Sequence, residues 1–187
     1  MLSSTWASAQ FHLGVHTGMS KFNFSQVGQA SEIKISDTLS YNPVRFDFSV
    51  GYQFSDSWGL ETLINLNASK RSPSPGLDGA FLATVSLSPT WRCALHSRVD
   101  VFTQAGLTYM AYSENPEGTP DNAIPYDDVT VWRGIGLRVA TGLLFHFNDQ
   151  LSAQLSFDYS QGTSRNNSFD DVDISTYGSS IGLQWYL

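Results

Sequence analysis

Apolar and polar residues change places at almost every step along this chain. From Leu151 to Ser160, the residues Leu151, Ala153, Leu155, Phe157 and Tyr159 alternate with Ser152, Gln154, Ser156, Asp158 and Ser160. A period of two predicts a strand with one greasy face and one wet face. The pattern recurs seven more times. Phe11, Leu13, Val15 and Thr17 carry the first run, and Val44, Phe46, Phe48, Val50, Tyr52 and Phe54 the second. Trp58 to Leu66, Phe81 to Trp91 and Val99 to Tyr109 supply the third, fourth and fifth on their alternate positions. Val131, Ile135, Leu137, Val139, Leu143, Phe145 and Phe147 carry the sixth, and Tyr177, Ile181, Leu183, Trp185 and Leu187 the last. No helical period of useful length interrupts them. The sum is eight strands, most of them longer than the five or six residues usual in soluble sheets.

The links between runs alternate as well. Ser55-Asp56-Ser57, His96-Ser97-Arg98 and Asn148-Asp149-Gln150 are tight, whereas Ser25–Asp37, Ser69–Asp78, Glu114–Asp128 and Gly162–Asp171 are long and polar. A meander of hairpins with no conspicuous free edge implies closure into an all-β, eight-stranded antiparallel up-and-down barrel. Short turns at one end and long loops at the other are the habit of barrels that cross a membrane.

The charges decide which face is inside. The polar faces are rich in Gly, Ser, Ala, Asn and Gln and hold Arg45, Asp47, Glu61, Arg92, Asp100, Arg138 and Asp158, but no mid-strand Lys. The apolar faces carry no mid-strand charge. Their aromatics gather near the short turns (Phe11, Phe54, Trp58, Trp91, Phe145, Phe147, Trp185) and towards the long loops (Phe81, Tyr109, Tyr177). A charge on a lipid-facing position costs about 2–4 kcal/mol at the bilayer midplane. The apolar faces therefore point out to lipid and the polar faces line a lumen. A soluble ligand-binding barrel would need apolar faces around a cavity, which the glycine-rich polar faces contradict.

Composition removes several other classes. With 41% hydrophobic and 14% charged residues among 187, the chain is too apolar for disorder. A net charge of −7 with no basic face argues against nucleic acid. The single cysteine, Cys93, excludes an internal disulfide and a cysteine-based metal cluster. No apolar run is long enough for a membrane-spanning helix, which says nothing about strands. Ala7-Ser8-Ala9 has the small-residue pattern that precedes signal cleavage, so residues 1–9 read as a signal remnant or added leader and 10–187 as the barrel.

Two stretches carry a resemblance: GIGLRVATGLLFHFNDQLSAQLSFDYS (134–160) and the terminal IGLQWYL. With the eight alternating runs, they make the chain similar to the OmpA/OmpX-like family of small outer-membrane barrels. The resemblance implies a bacterial outer membrane location, periplasmic turns and extracellular loops. It also implies surrounding lipid and lipopolysaccharide, and a last strand read by the barrel-assembly machinery. Members usually end in Phe, whereas this chain ends in Leu187. No cofactor is expected.

The candidate chemistry is a lumen ion-pair network of Arg45, Asp47, Glu61, Arg92, Arg138 and Asp158. A simple register across the Asn148 turn sets Arg138 diagonal to Asp158, within reach of a long side chain. Glu61 or Asp47 is expected to bridge to Arg92 or Arg138. Such pairs either plug an eight-stranded barrel, whose interior side chains can just fill, or switch partners to open a narrow porin-like channel. A lipid A-modifying enzyme would need a reactive Ser/His pair at the loop end. His12, His96 and His146 fall near the turn end and His16 near mid-strand, so no enzyme is expected. Asp127-Asp128 and Asp170-Asp171-Asp173 read as solvated loop charge and not as a metal site. Lys21, Lys70, Arg71 and Arg133 are placed to contact lipopolysaccharide phosphates. Cys93 falls on the lipid side as an inert small residue. The loops, with Ile124 and Tyr126, offer a surface to an extracellular partner, so the expected role is structural or loop-mediated adhesion.

Overall fold

The computed structural model describes residues 10–26, 44–69, 77–116, 130–165 and 171–187. Eight strands follow in order: β1 Gln10–Gln26, β2 Val44–Gln53, β3 Trp58–Ser69, β4 Leu77–His96, β5 Val99–Pro116, β6 Thr130–His146, β7 Leu151–Arg165 and β8 Val172–Tyr186. Each pairs antiparallel with its neighbour in sequence, and β1 pairs with β8 to close the barrel. Closure satisfies every edge within the sheet, as a lipid environment demands. The strands overrun the expected loop boundaries: β5 continues to Pro116 and β7 to Arg165.

The register fixes how steeply the strands climb. From Leu13 the paired row runs through Val50, Thr62, Leu87, Leu107, Leu137, Gln161 and Ser175, and returns to β1 at Asn23, ten residues along the same strand. A stagger of this kind tilts the strands roughly 35–45° from the barrel axis. A single row therefore rises towards the loops as it goes round.

Burial confirms the assignment of faces. On β2, Phe46, Phe48 and Val50 are about half exposed, whereas Arg45, Asp47 and Ser49 are at most 2% exposed. Small residues make this possible. A side chain at Gly178 would overlap the Arg45 guanidinium, and one at Gly51 would overlap the His12 ring. These glycines sit opposite the largest inward polar groups and leave them the space they occupy. Not every inward position is polar: Leu63, Phe102 and Leu144 are also buried in the lumen.

Towards the loop end the polarity turns over. Leu82, Met110, Tyr112, Val172 and Ile174 point inward and form a buried apolar cluster, with Trp132 packed against it. Outward at the same end stand Lys21, Arg133, Gln161, Thr163 and Arg165, all exposed. The Thr163 hydroxyl donates to Asp173 at 2.6 Å, and Arg165 pairs with Asp171 at 3.4 Å. This collar is built like a soluble barrel, dry inside and wet outside. The expectation that the inner face is polar throughout, with Leu82 on a wet face, fails here because water replaces lipid as the outer solvent.

Candidate functional site

Five of the six predicted lumen charges are buried, each no more than 6% exposed, and the sixth, Asp158, has a side chain that is 5% exposed. Alternation along β2, β3, β4, β6 and β7 aims them inward. They fall into two clusters, and the partners differ from those expected.

The upper cluster centres on Arg45. Its Nε donates to both carboxylate oxygens of Asp47, at 2.8 and 2.9 Å, and its Nη1 pairs with Asp158. Asn65 donates to Asp47 at 2.6 Å, and the chain continues through Asn67 to Ser20. Asp158 does lie diagonal to Arg138 in the register, in the Ala140–Asp158 pair two steps from Arg138–Ser160. It nevertheless takes Arg45 from across the barrel, because Gly178 opens the direct line between them.

The lower cluster centres on Glu61. His12 Nε2 lies 3.1 Å from Glu61 Oε2, and Gln104 Nε2 donates to Glu61 Oε1 at 2.8 Å. Arg138 reaches Glu61 only through Gln104, donating to its Oε1 at 2.9 Å. Arg92 donates to the Tyr186 hydroxyl at 2.9 Å and lies 3.5 Å from Gln184 Oε1. Direct bridges from Glu61 or Asp47 to Arg92 or Arg138 are absent among the described residues. Glutamines stand between them, bonding to both signs of charge. A buried charge left unpaired costs several kcal/mol, and the neutral amides spread one carboxylate over several cations.

The clusters leave little room. A void of about 10 Å³ lies among Arg45, Asn65, Arg138, Asp158 and Thr176, enough for a single water. Above it the apolar cluster of the collar occupies the lumen. At the turn end, by contrast, a cavity of about 540 Å³ opens outward, reaching from Arg92 and Tyr186 to the turns at Asp56, Ser97 and Asn148.

The wall of that cavity holds an arrangement that sequence spacing did not reveal. Ser152 Oγ is 2.7 Å from His146 Nδ1, and His146 Nε2 is 2.9 Å from Asp100 Oδ2. Adjacent strands bring the three together, since His146 pairs directly with Ser152. Chemically this resembles a serine–histidine–carboxylate relay. Ser152 is fully buried, so its hydroxyl braces His146 and presents no nucleophile to the cavity. Cys93, expected against lipid, is exposed and lines the cavity. His16 is buried in the lumen and His96 lines the mouth.

Of the residues expected to meet lipopolysaccharide, Lys21 and Arg133 are exposed on the outer wall. Arg133 pairs directly with Arg165. Lys70 and Arg71 lie outside the described residues, as do Ile124, Tyr126, Asp127, Asp128 and Asp170. No cluster of three metal-binding side chains occurs among the described residues.

Closed eight-stranded topology, an apolar outer band and a charged lumen define a membrane-spanning β-barrel. The family model of the outer membrane protein beta-barrel domain matches residues 2–186, and the chain belongs to that family. Its place is the bacterial outer membrane. Among solved structures it is similar to Neisserial surface protein A, at 18% identity and a TM-score of 0.67, covering 95% of this chain and 98% of that one. It is also similar to Ail, the attachment invasion locus protein of Yersinia pestis, at 16% identity and a TM-score of 0.54, covering 94% and 98%. The Pseudomonas aeruginosa outer membrane protein OprG is similar at 11% identity and a TM-score of 0.58, covering 97% and 96%. At these identities the likeness is one of fold. No curated protein matches by sequence.

Proposed function

We propose that this protein is a non-conducting outer-membrane scaffold, structural or adhesive, that acts through its extracellular loops and not through its lumen. The observation that carries the reading is the filled interior: ion-paired side chains around a void of about 10 Å³, topped by the buried cluster of Leu82, Met110, Tyr112, Val172 and Ile174. Ions would have to break buried pairs and then cross a dry layer, and apolar constrictions exclude water on their own. The collar supports the reading further. Strands that continue past the apolar band raise the loops clear of the membrane surface, where a partner is reached. Attachment, named for the Yersinia pestis neighbour, is a role this geometry suits.

Lipopolysaccharide is the partner proposed for the outer wall. Arg133 and Arg165 face each other across β6 and β7. Like charges directly opposite destabilise a sheet; Asp171 answers Arg165 at 3.4 Å, and a phosphate would do the same for Arg133. Ile181, Leu183 and Trp185 along the exposed outer face of β8 are the apolar residues proposed to meet the barrel-assembly machinery.

Planar-bilayer recording of the refolded protein tests the reading, alongside Glu61→Ala, Arg138→Ala and the double variant Met110→Ser/Ile174→Ser. Silence in the wild type with openings in the double variant is expected. Discrete openings in the wild type that Glu61→Ala or Arg138→Ala enlarges would replace the scaffold with a narrow channel.

A further inference from the structure

The turn-end cavity has a feature that neither a scaffold nor a plug requires. Arg92, at its inner end, is only 6% exposed, yet no carboxylate oxygen lies within 4.0 Å of its nitrogens among the described residues. Arg92 donates to two neutral groups, the Tyr186 hydroxyl at 2.9 Å and the Gln184 side-chain amide oxygen Oε1 at 3.5 Å. A guanidinium has five N–H donors, and the Arg92 Nε–H is buried without a partner. The acid nearest in the cavity wall is committed elsewhere, since Asp100 is held by His146, itself braced by Ser152. Glu61 reaches Arg92 only through Gln184, which bonds to both, so this almost buried cation keeps a spare donor and no direct anion, a costly arrangement that a bound anion would relieve.

We propose that this cavity binds a small monocarboxylate with an apolar body, its carboxylate seated on Arg92. The volume of about 540 Å³ lies within the range of small-molecule sites. The Tyr186 ring, whose centroid is 5.7 Å from the Arg92 guanidinium carbon, flanks the position of the carboxylate. Phe147, Ala94 and Cys93 offer an apolar wall further out. Asp56 and Asp149 stand at the mouth and Asp100 in the wall. Arg98 also lines the cavity, but the three acids outnumber it and repel a multiply charged anion more strongly than a single carboxylate, so the site discriminates against phosphate. Arg is suited to the task because its planar fork meets a carboxylate through two parallel hydrogen bonds.

The test is a titration of the ¹⁵N-labelled barrel in nanodiscs with benzoate and, separately, inorganic phosphate. Amide and Arg92 Nε–H shifts are followed at residues 92–94 and 146–149. Saturable shifts with benzoate are expected, at least tenfold weaker in Arg92→Gln and tenfold weaker with phosphate. Arg92→Lys, which keeps the charge but loses the fork, should weaken benzoate binding about fivefold, and it serves if Arg92→Gln does not refold. Benzoate shifts that fail to saturate, or that persist unchanged in either variant, would overturn the site. Phosphate binding as tight as benzoate would overturn the monocarboxylate assignment. A conducting lumen would defeat the scaffold reading and leave this result untouched.

Discussion

Two stretches of the same barrel obey opposite rules. In the band around Phe48, Val50 and Val139 the outer wall is apolar and the lumen holds Arg45, Asp47, Glu61 and Arg138. In the collar around Ile174 the lumen is apolar and the outer wall holds Arg133, Gln161, Thr163 and Arg165. The strands run through both without a break, and the backbone pairing is the same. What changes is the solvent outside. Lipid rewards apolar outer side chains and leaves polar ones to pair in the lumen, whereas water rewards the reverse. Wall polarity thus reports on the medium and not on the fold.

The contrast is sharpest where charge is buried. Arg45→Ala removes the cation shared by Asp47 and Asp158 and strands two carboxylates in the band. A loss of about 3–5 kcal/mol is expected, read from urea unfolding in vesicles. A loss below about 1 kcal/mol would mean that water already reaches these groups. In the collar the corresponding loss comes from an apolar deletion. Ile174→Ala should cost about 2–4 kcal/mol if the cluster is packed like a soluble core, and far less if it is loose.

Outer-wall substitutions compare the two media directly. Val139→Arg should destabilise by about 2–4 kcal/mol, and Gln161→Arg by no more than about 1, both measured as folding equilibria in the same lipid. Equal costs would erase the boundary drawn between band and collar. Gly178→Ala tests the space left for Arg45, at about 1–3 kcal/mol for an overpacked position. The smallest effect is expected from Arg133→Gln. It should leave the barrel's stability nearly unchanged while weakening its association with lipopolysaccharide, and the difference should vanish at high salt.

Much of this was legible in the order of residues. Alternation marked eight strands, the lengths of the links set up-and-down closure, and the distribution of charge told inside from outside. Each of these depends on neighbours in sequence, through a side-chain period of two. The six lumen charges were legible for the same reason. Their partners were not. Arg45 finds Asp158 because three intervening strand pairings and one missing side chain, at Gly178, bring them together. Gln104 and Gln184 link Glu61 to Arg138 and Arg92, yet in the sequence they are two polar residues among many.

The collar was hidden for a different reason. Its boundary falls after Tyr159 on β7 and before Tyr177 on β8, but only near Arg133 on β6, because each paired row climbs as it circles the barrel. No fixed position along a strand marks the change, so a period of two by itself does not single out Leu82, Met110 and Ile174. The sequence by itself determined eight two-faced strands and the medium they suit. Only the tertiary structure, through the ten-residue stagger that sets the height of every side chain, decided which charges meet, where lipid gives way to water, and that Arg92 ends beside a cavity without a carboxylate of its own.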